Sequence, residues 1–228
     1  MSDLRRVTIL GLGGVLLLTG CRAGVGKAAD PALVRALPVA APIVPGSGLA
    51  VSVRSGGGGW PRSLGGIPGK SRPVAVVVPR AKVNAPVVQI ESGTDGTLES
   101  PPLERANLAG WDRLGPTPGE PGSAVIVGHL DTRTGPAVFA GLSQVRKGDA
   151  VLVTREDRTA VVFRVVAVQR VSKTAFPVSK VYRSLPHPAI RLVTCGGTYD
   201  FTRHSYDDNL IVYGDLAGWY RLSDLPRA

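Results

Sequence analysis

Residues 72–79 read Arg-Pro-Val-Ala-Val-Val-Val-Pro, and at this point the character of the chain changes. β-Branched residues begin to cluster between turn formers here and continue to do so toward the C-terminus, which is the signature of strands rather than helices. Further runs of this kind lie at 85–90, 123–128, 150–154, 160–169, 190–194 and 209–215, most of them short and bounded by Gly, Pro, Asp or Asn. One short helix is predicted over 137–145, followed by a turn at Lys147-Gly148-Asp149. Many short strands with turn punctuation favour a closed or nearly closed all-β barrel, which also removes exposed strand edges.

Upstream of Arg72 the pattern is different. Residues 22–71 are rich in Gly, Ala, Pro and Val, including Ser55-Gly56-Gly57-Gly58-Gly59, and hold no sustained period. They read as a flexible spacer between the N-terminus and a body at 72–218, with 219–228 as a short tail. With 228 residues, 29 Gly, 19 Pro and 5% aromatic residues, the chain accommodates one ordinary domain plus a linker but not two full domains.

Residues 1–21 read as a targeting segment: Arg5 and Arg6 precede an apolar run, 7–18, that is shorter than the roughly 20 residues needed to span a bilayer. The run ends in Leu18-Thr19-Gly20-Cys21, which resembles the lipobox of bacterial lipoprotein signals; Cys21 would then be the lipidated N-terminus. The alternative is an uncleaved signal anchor with an incidental cysteine. Either reading tethers the body to a membrane on its outer face. The net charge of +10 fits an anionic membrane or wall polymer. Nucleic acid ranks low, because the basic residues are scattered and no nucleic-acid-binding pattern occurs.

Two cysteines are present, so with Cys21 taken by lipid no disulfide framework is available and Cys195 must be explained on its own. It ends the apolar run 189–194 and is followed by Gly196-Gly197, which let backbone approach closely and leave an N–H for a developing oxyanion. His129 ends a second run, 124–128. Taken alone, each fits an inert buried cysteine or a hydrogen-bonded structural histidine. Together, at the ends of separate strands, they are the nucleophile and base of thiol acyl transfer, a chemistry that needs no cofactor. His187 and His204 read as loop residues, and no dense acidic cluster suggests calcium.

The ordered set Gly128-His129-Leu130-Asp131, Gly135-Pro136-Ala137-Val138-Phe139, Lys147-Gly148-Asp149, Phe176-Pro177, Leu192-Val193-Thr194-Cys195-Gly196-Gly197 and 206–213 resembles actinobacterial sortases, most closely class F. Asp95-Gly96-Thr97-Leu98 and Pro118-Gly119-Glu120-Pro121-Gly122 extend the likeness upstream, so that it covers 72–216. The resemblance implies an eight-stranded barrel and a monomeric cysteine transpeptidase, a hydrolase-like enzyme. Cys195 would attack the carbonyl of a sorting-signal threonine in exported proteins, and a peptidoglycan amine would resolve the thioacyl enzyme. It also implies that His129 donates and takes the proton, and that Thr194 and Gly196 line the substrate groove.

One position departs from the pattern. Class F sortases place an arginine directly before the Asp-Asn of the closing motif, where this chain has Asp207, and an acidic residue there would raise the thiol pKa and repel an oxyanion. Arg203 stands between Cys195 and Arg221 as the candidate substitute, with Arg191 and Arg170 as alternatives. The departure keeps open a catalytically impaired binding or scaffold protein. An L,D-transpeptidase cross-linker ranks lower, since its Ser-His-Gly-Cys type of signature is absent.

Overall fold

In the computed structural model of the chain, the described residues are 61–91 and 99–225. The targeting segment with Cys21, the spacer up to residue 60 and Asp95-Gly96-Thr97-Leu98 lie outside them. Among the described residues, no helix is long and apolar enough to cross a membrane.

The strands are β1 (Pro73–Val78), β2 (Val83–Ile90), β3 (Ala109–Asp112), β4 (Gly122–Gly128), β5 (Asp131–Thr132), β6 (Gly135–Pro136), β7 (Ala150–Arg155), β8 (Thr159–Ser172), β9 (Pro188–Asp200) and β10 (Ser205–Arg221). Eight of them close into a barrel in the order β1-β2-β3-β4-β9-β10-β8-β7, while β5 and β6 form a separate two-stranded ribbon. The β2–β3 and β4–β9 pairs are parallel and the remaining barrel pairs antiparallel. The all-β barrel expected from the strand pattern is therefore the observed fold.

Alternation along each strand sorts side chains to two faces. Val76, Ile126, Val153, Phe163, Leu192 and Val212 belong to the cluster filling the barrel. The opposite faces are also covered, which is why the strands read as continuous apolar runs rather than clean alternations. On β1 and β7, Val77 and Leu152 pack with Leu225, so the chain beyond β10 caps that side. On β4, β9 and β10, residues Val125, Val127, Val193, Ile211 and Tyr213 pack with Val181 of a short helix, α1 (Val178–Val181), in the β8–β9 crossover.

The helix predicted over 137–145 is the clearest correction. The segment forms turns and a single 3-10 turn at Leu142–Gln144. Its large apolar residues, Val138, Phe139, Leu142 and Val145, are all buried in the barrel cluster. Gly141 explains the tight path: a Cβ there would stand 2.3 Å from the carbonyl oxygen of Ala81. We predict that Gly141→Ala, meeting backbone that cannot swing aside, costs about 1–3 kcal/mol. A fall of several degrees in the thermal midpoint would register this.

Ordered structure also extends past both expected body limits. Residues 63–65 run beside the end of β10, where Trp219 Nε1 donates to the Gly65 carbonyl at 2.7 Å and Leu64 N–H to the Trp219 carbonyl at 3.0 Å, and the Gly69 carbonyl accepts from Arg155 at 2.7 Å. The expected turn at 147–149 is present, with Gly148 at φ +95°, a left-handed conformation that side-chain-bearing residues rarely adopt.

Candidate active site

The position of the two candidate residues follows from strand register. On β4, Val125 and Val127 face outward, and His129 follows them by two residues, just past the end of the strand. On β9, Val193 faces outward and Cys195 follows by two. β4 and β9 are parallel neighbours with Val127 opposite Val193. His129 and Cys195 each follow this last pair by two residues, so both stand at the same end of the two neighbouring strands, on the outward alternation. On the other side of β9, Asn209 is the ladder partner of Cys195. Cys195 is a partly exposed free thiol.

His129 is oriented by backbone. Its Nε2 lies 2.6 Å from the carbonyl oxygen of Pro101, which can only accept, so Nε2 carries the proton and Nδ1 is left to exchange one. The His129 carbonyl in turn accepts the Phe139 N–H at 2.9 Å. A carbonyl thus takes the orienting place that a carboxylate holds in many nucleophile–base pairs. No side-chain motif could have announced it, because the acceptor is main chain.

The loop after the thiol is a β-bulge. Tyr206 pairs with Tyr199 and Asp208 with Gly196, so Gly197 and Thr198 on β9 face the single residue Asp207 on β10. Gly197 takes φ +81°, and a Cβ on it would stand 2.1 Å from Asp207 Oδ1, which accepts the Thr198 N–H at 2.7 Å. Asp207, where an arginine was expected, is therefore the acceptor that closes the bulge.

The arginines are distributed as follows. Arg203 sits at the β9–β10 turn; its side chain is 84% exposed and its Nε lies 3.6 Å from Asp200 within the same turn. Asp200 is five strand residues beyond Cys195, on the order of 16 Å along β9. Arg191 shares the outward face with Cys195 but lies four residues back, buried, with its guanidinium 4.9 Å from the Tyr213 ring centre and NH1 donating to the Ile190 carbonyl. Burial pushes its pKa down, opposed by the charge of Asp215. Arg170 lies opposite Leu210, whose side chain enters the barrel, so it stands on the face away from Cys195. None of the three is brought to the thiol. We predict that Arg203→Ala leaves steady-state turnover within about twofold, as exposed ion pairs contribute little.

Thr194 is buried, pairs with Leu210 and carries a hydroxyl without a hydrogen-bond partner, so its side chain turns into the barrel. Gly196 is buried against Leu210. His187 and His204 are exposed, His187 lying 3.7 Å from Asp215.

A second pair flanks the site. The Tyr206 hydroxyl donates to a carboxylate oxygen of Asp131, two residues after His129. The phenol pKa is pushed up to about 12, first by that bond, then by burial and by the negative charges of Asp131, Cys195 and Tyr199. Any stability from this bond is complete below pH 10 or so and is lost as pH rises through about 12.

Comparison with known proteins agrees with this architecture. The chain resembles a sortase A from Listeria monocytogenes at 20% identity and a TM-score of 0.50, with 66% of this chain and 90% of that chain covered. It resembles SrtA sortase from Actinomyces oris at 23% identity and a TM-score of 0.53, covering 73% of this chain and 91% of that one. Both likenesses speak to fold. No curated protein matches the chain in sequence. Residues 76–217, nearly the whole barrel, match the sequence profile of the Sortase domain, and the chain belongs to the sortase family.

Proposed function

We propose that the chain is a cysteine transpeptidase of the class F type, acting on sorting-signal peptides in exported proteins. The observation that carries this reading is the parallel β4–β9 register, whose last pair, Val127 with Val193, stands two residues before His129 on one chain segment and two before Cys195 on the other. In the first half-reaction, Cys195 passes its proton to His129 Nδ1 as Sγ bonds to the carbonyl carbon of the sorting-signal threonine and the carbonyl electrons move onto oxygen. The C–N bond then breaks as His129 protonates the departing amine, leaving a thioester. In the second, an acceptor amine attacks that carbonyl and His129 takes its proton; the C–S bond then breaks and His129 passes the proton to sulfur, returning the thiol.

The acceptor proposed is a peptidoglycan amine. The 72–218 body would act as a monomer on the outer face of the membrane, tethered through residues 1–21, lipidated at Cys21, with 22–71 as the reach to the wall. Charge of +10 and the glycine-rich spacer support that placement. Thr194 and Gly196 contribute to the groove through the backbone beside the thiol.

The test is amine incorporation by the full-length protein. A labelled amine joined to peptides bearing sorting motifs, and not to tetrapeptide donors, is the expected product; joining only to tetrapeptide donors would move the chain to direct cross-linking. A second reading, a silent member that binds sorting signals without turnover, is favoured by Asp207 occupying the arginine position. Peptide binding with no incorporated amine would select it.

A further inference from the structure

The β4–β9 ladder makes its last pair at Val127 and Val193, so neither His129 nor Cys195 is held to the other by main-chain pairing. After Gly128 the chain leaves the ladder and folds into the β5–β6 ribbon, with Asp131 opposite Pro136. The bonds that fix this segment run to its own side of the barrel. His129 Nε2–H donates to the Pro101 carbonyl, the His129 carbonyl accepts from Phe139, and the Leu130 carbonyl accepts the Ala137 N–H at 3.0 Å. These set the imidazole relative to β2, β3 and β4. They do not set it relative to the strand carrying the thiol.

The bond that crosses to the β9–β10 hairpin is Tyr206 to Asp131, between residues 75 apart in sequence. Its β10 end is itself well fixed. Tyr206 faces Tyr199 in the ladder, directly before the bulge that re-aims the strand. Its ring meets Tyr199 edge-on at 5.1 Å, and Tyr199 meets Phe201 in the same manner at 5.1 Å. The phenol is therefore presented in a set direction, and its single donor is spent on the carboxylate of the ribbon.

We propose that Tyr206 and Asp131 form a tether that sets the approach of His129 to Cys195, Tyr206 acting as a positioning residue from the thiol-bearing hairpin and Asp131 as its anchor beside the imidazole. The inference rests on His129 and Cys195 being the reacting pair. It assigns Tyr206 no contact with the reacting atoms. It also gives Asp131 a fixed partner, which keeps that carboxylate from turning toward the thiol.

The experiment is the rate of iodoacetamide alkylation at Cys195 in the full-length protein at neutral pH, read by peptide mapping so that Cys21 is counted separately. Tyr206→Phe and Asp131→Ala are each expected to slow alkylation about fivefold, and the double variant to be no slower than the slower single, as for two residues acting through one bond. Asp131→Asn keeps an acceptor for the phenol and is expected to alkylate at the parent rate. Melting temperatures should stay at the parent value, since the pair lies at the surface. Tyr206→Phe alkylating at the parent rate would overturn the tether, as would single effects that multiply in the double variant. So would a melting temperature that falls in step with reactivity. Alkylation needs no peptide, so the tether is judged even where no acyl transfer is found, and absence of transfer with slowed alkylation counts against the reaction assigned above and not against the tether.

Discussion

Cys195→Ala is expected to reduce amine incorporation by more than about a thousandfold, to the level of the uncatalysed reaction, while leaving the thermal midpoint within a degree or two. The thiol supplies the atom that becomes acylated, and alanine offers no nucleophile in its place. Stability should hardly change, because Cys195 is only partly buried and the barrel cluster beneath β9 is filled by Ile190 and Leu192. Incorporation rate and melting curve on the same preparation check both halves. Activity that survives the substitution would assign the chemistry to another residue.

His129→Ala is the second large effect, expected at about a hundredfold to ten-thousandfold in kcat, the range for removing a positioned acid–base group. Its KM should move much less, since the imidazole acts on the reacting nitrogen and not on the rest of the peptide. A second variant separates proton transfer from orientation. His129→Gln retains an N–H for the Pro101 carbonyl, the 2.6 Å contact that holds the ring, but cannot exchange a proton. It should be as slow as His129→Ala. A glutamine variant close to the parent rate would show that His129 organises the loop and moves no proton.

Much of the barrel was legible because its strands are apolar on both faces. The runs at 123–128, 150–154 and 190–194 lie within β4, β7 and β9, where continuous β-branched sequence meets burial on each side. β3 was not legible. It is four residues, Ala-Gly-Trp-Asp, with a glycine where a Cβ would press within 2.8 Å of the Ile90 side chain, and it owes its extended form to neighbours on β2 and β4. The helix expected at 137–145 shows the reverse error: apolar spacing alone cannot tell a helix from a chain of turns pressed onto the same core. β8, β9 and β10 run longer than predicted because their outer ends are polar or aromatic and are held by pairing with each other.

The site divides in the same way. Cys195 and His129 could be singled out because each ends an apolar run, and residue type joined to position carries that signal. Their arrival at the same end of two neighbouring strands could not, since the β4–β9 pairing joins residues 66 apart, as Val127 and Val193 are, and is set by the closure of the whole barrel. Nor could the Pro101 carbonyl or the Tyr206–Asp131 bond, which depend on loops meeting in space. Asp207 was noticed as an absence of arginine; the structure shows what it does instead, accepting the Thr198 N–H inside a bulge that requires glycine at 197.

The most direct test of thioacyl chemistry at Cys195 is mass spectrometry of the full-length protein incubated with a sorting-peptide library and no amine. An adduct of the acyl fragment on Cys195 is expected, mapped to the peptide that contains it and discharged by hydroxylamine. A thiol that stays free and alkylatable with every peptide, or an adduct carried by any other residue, would contradict it.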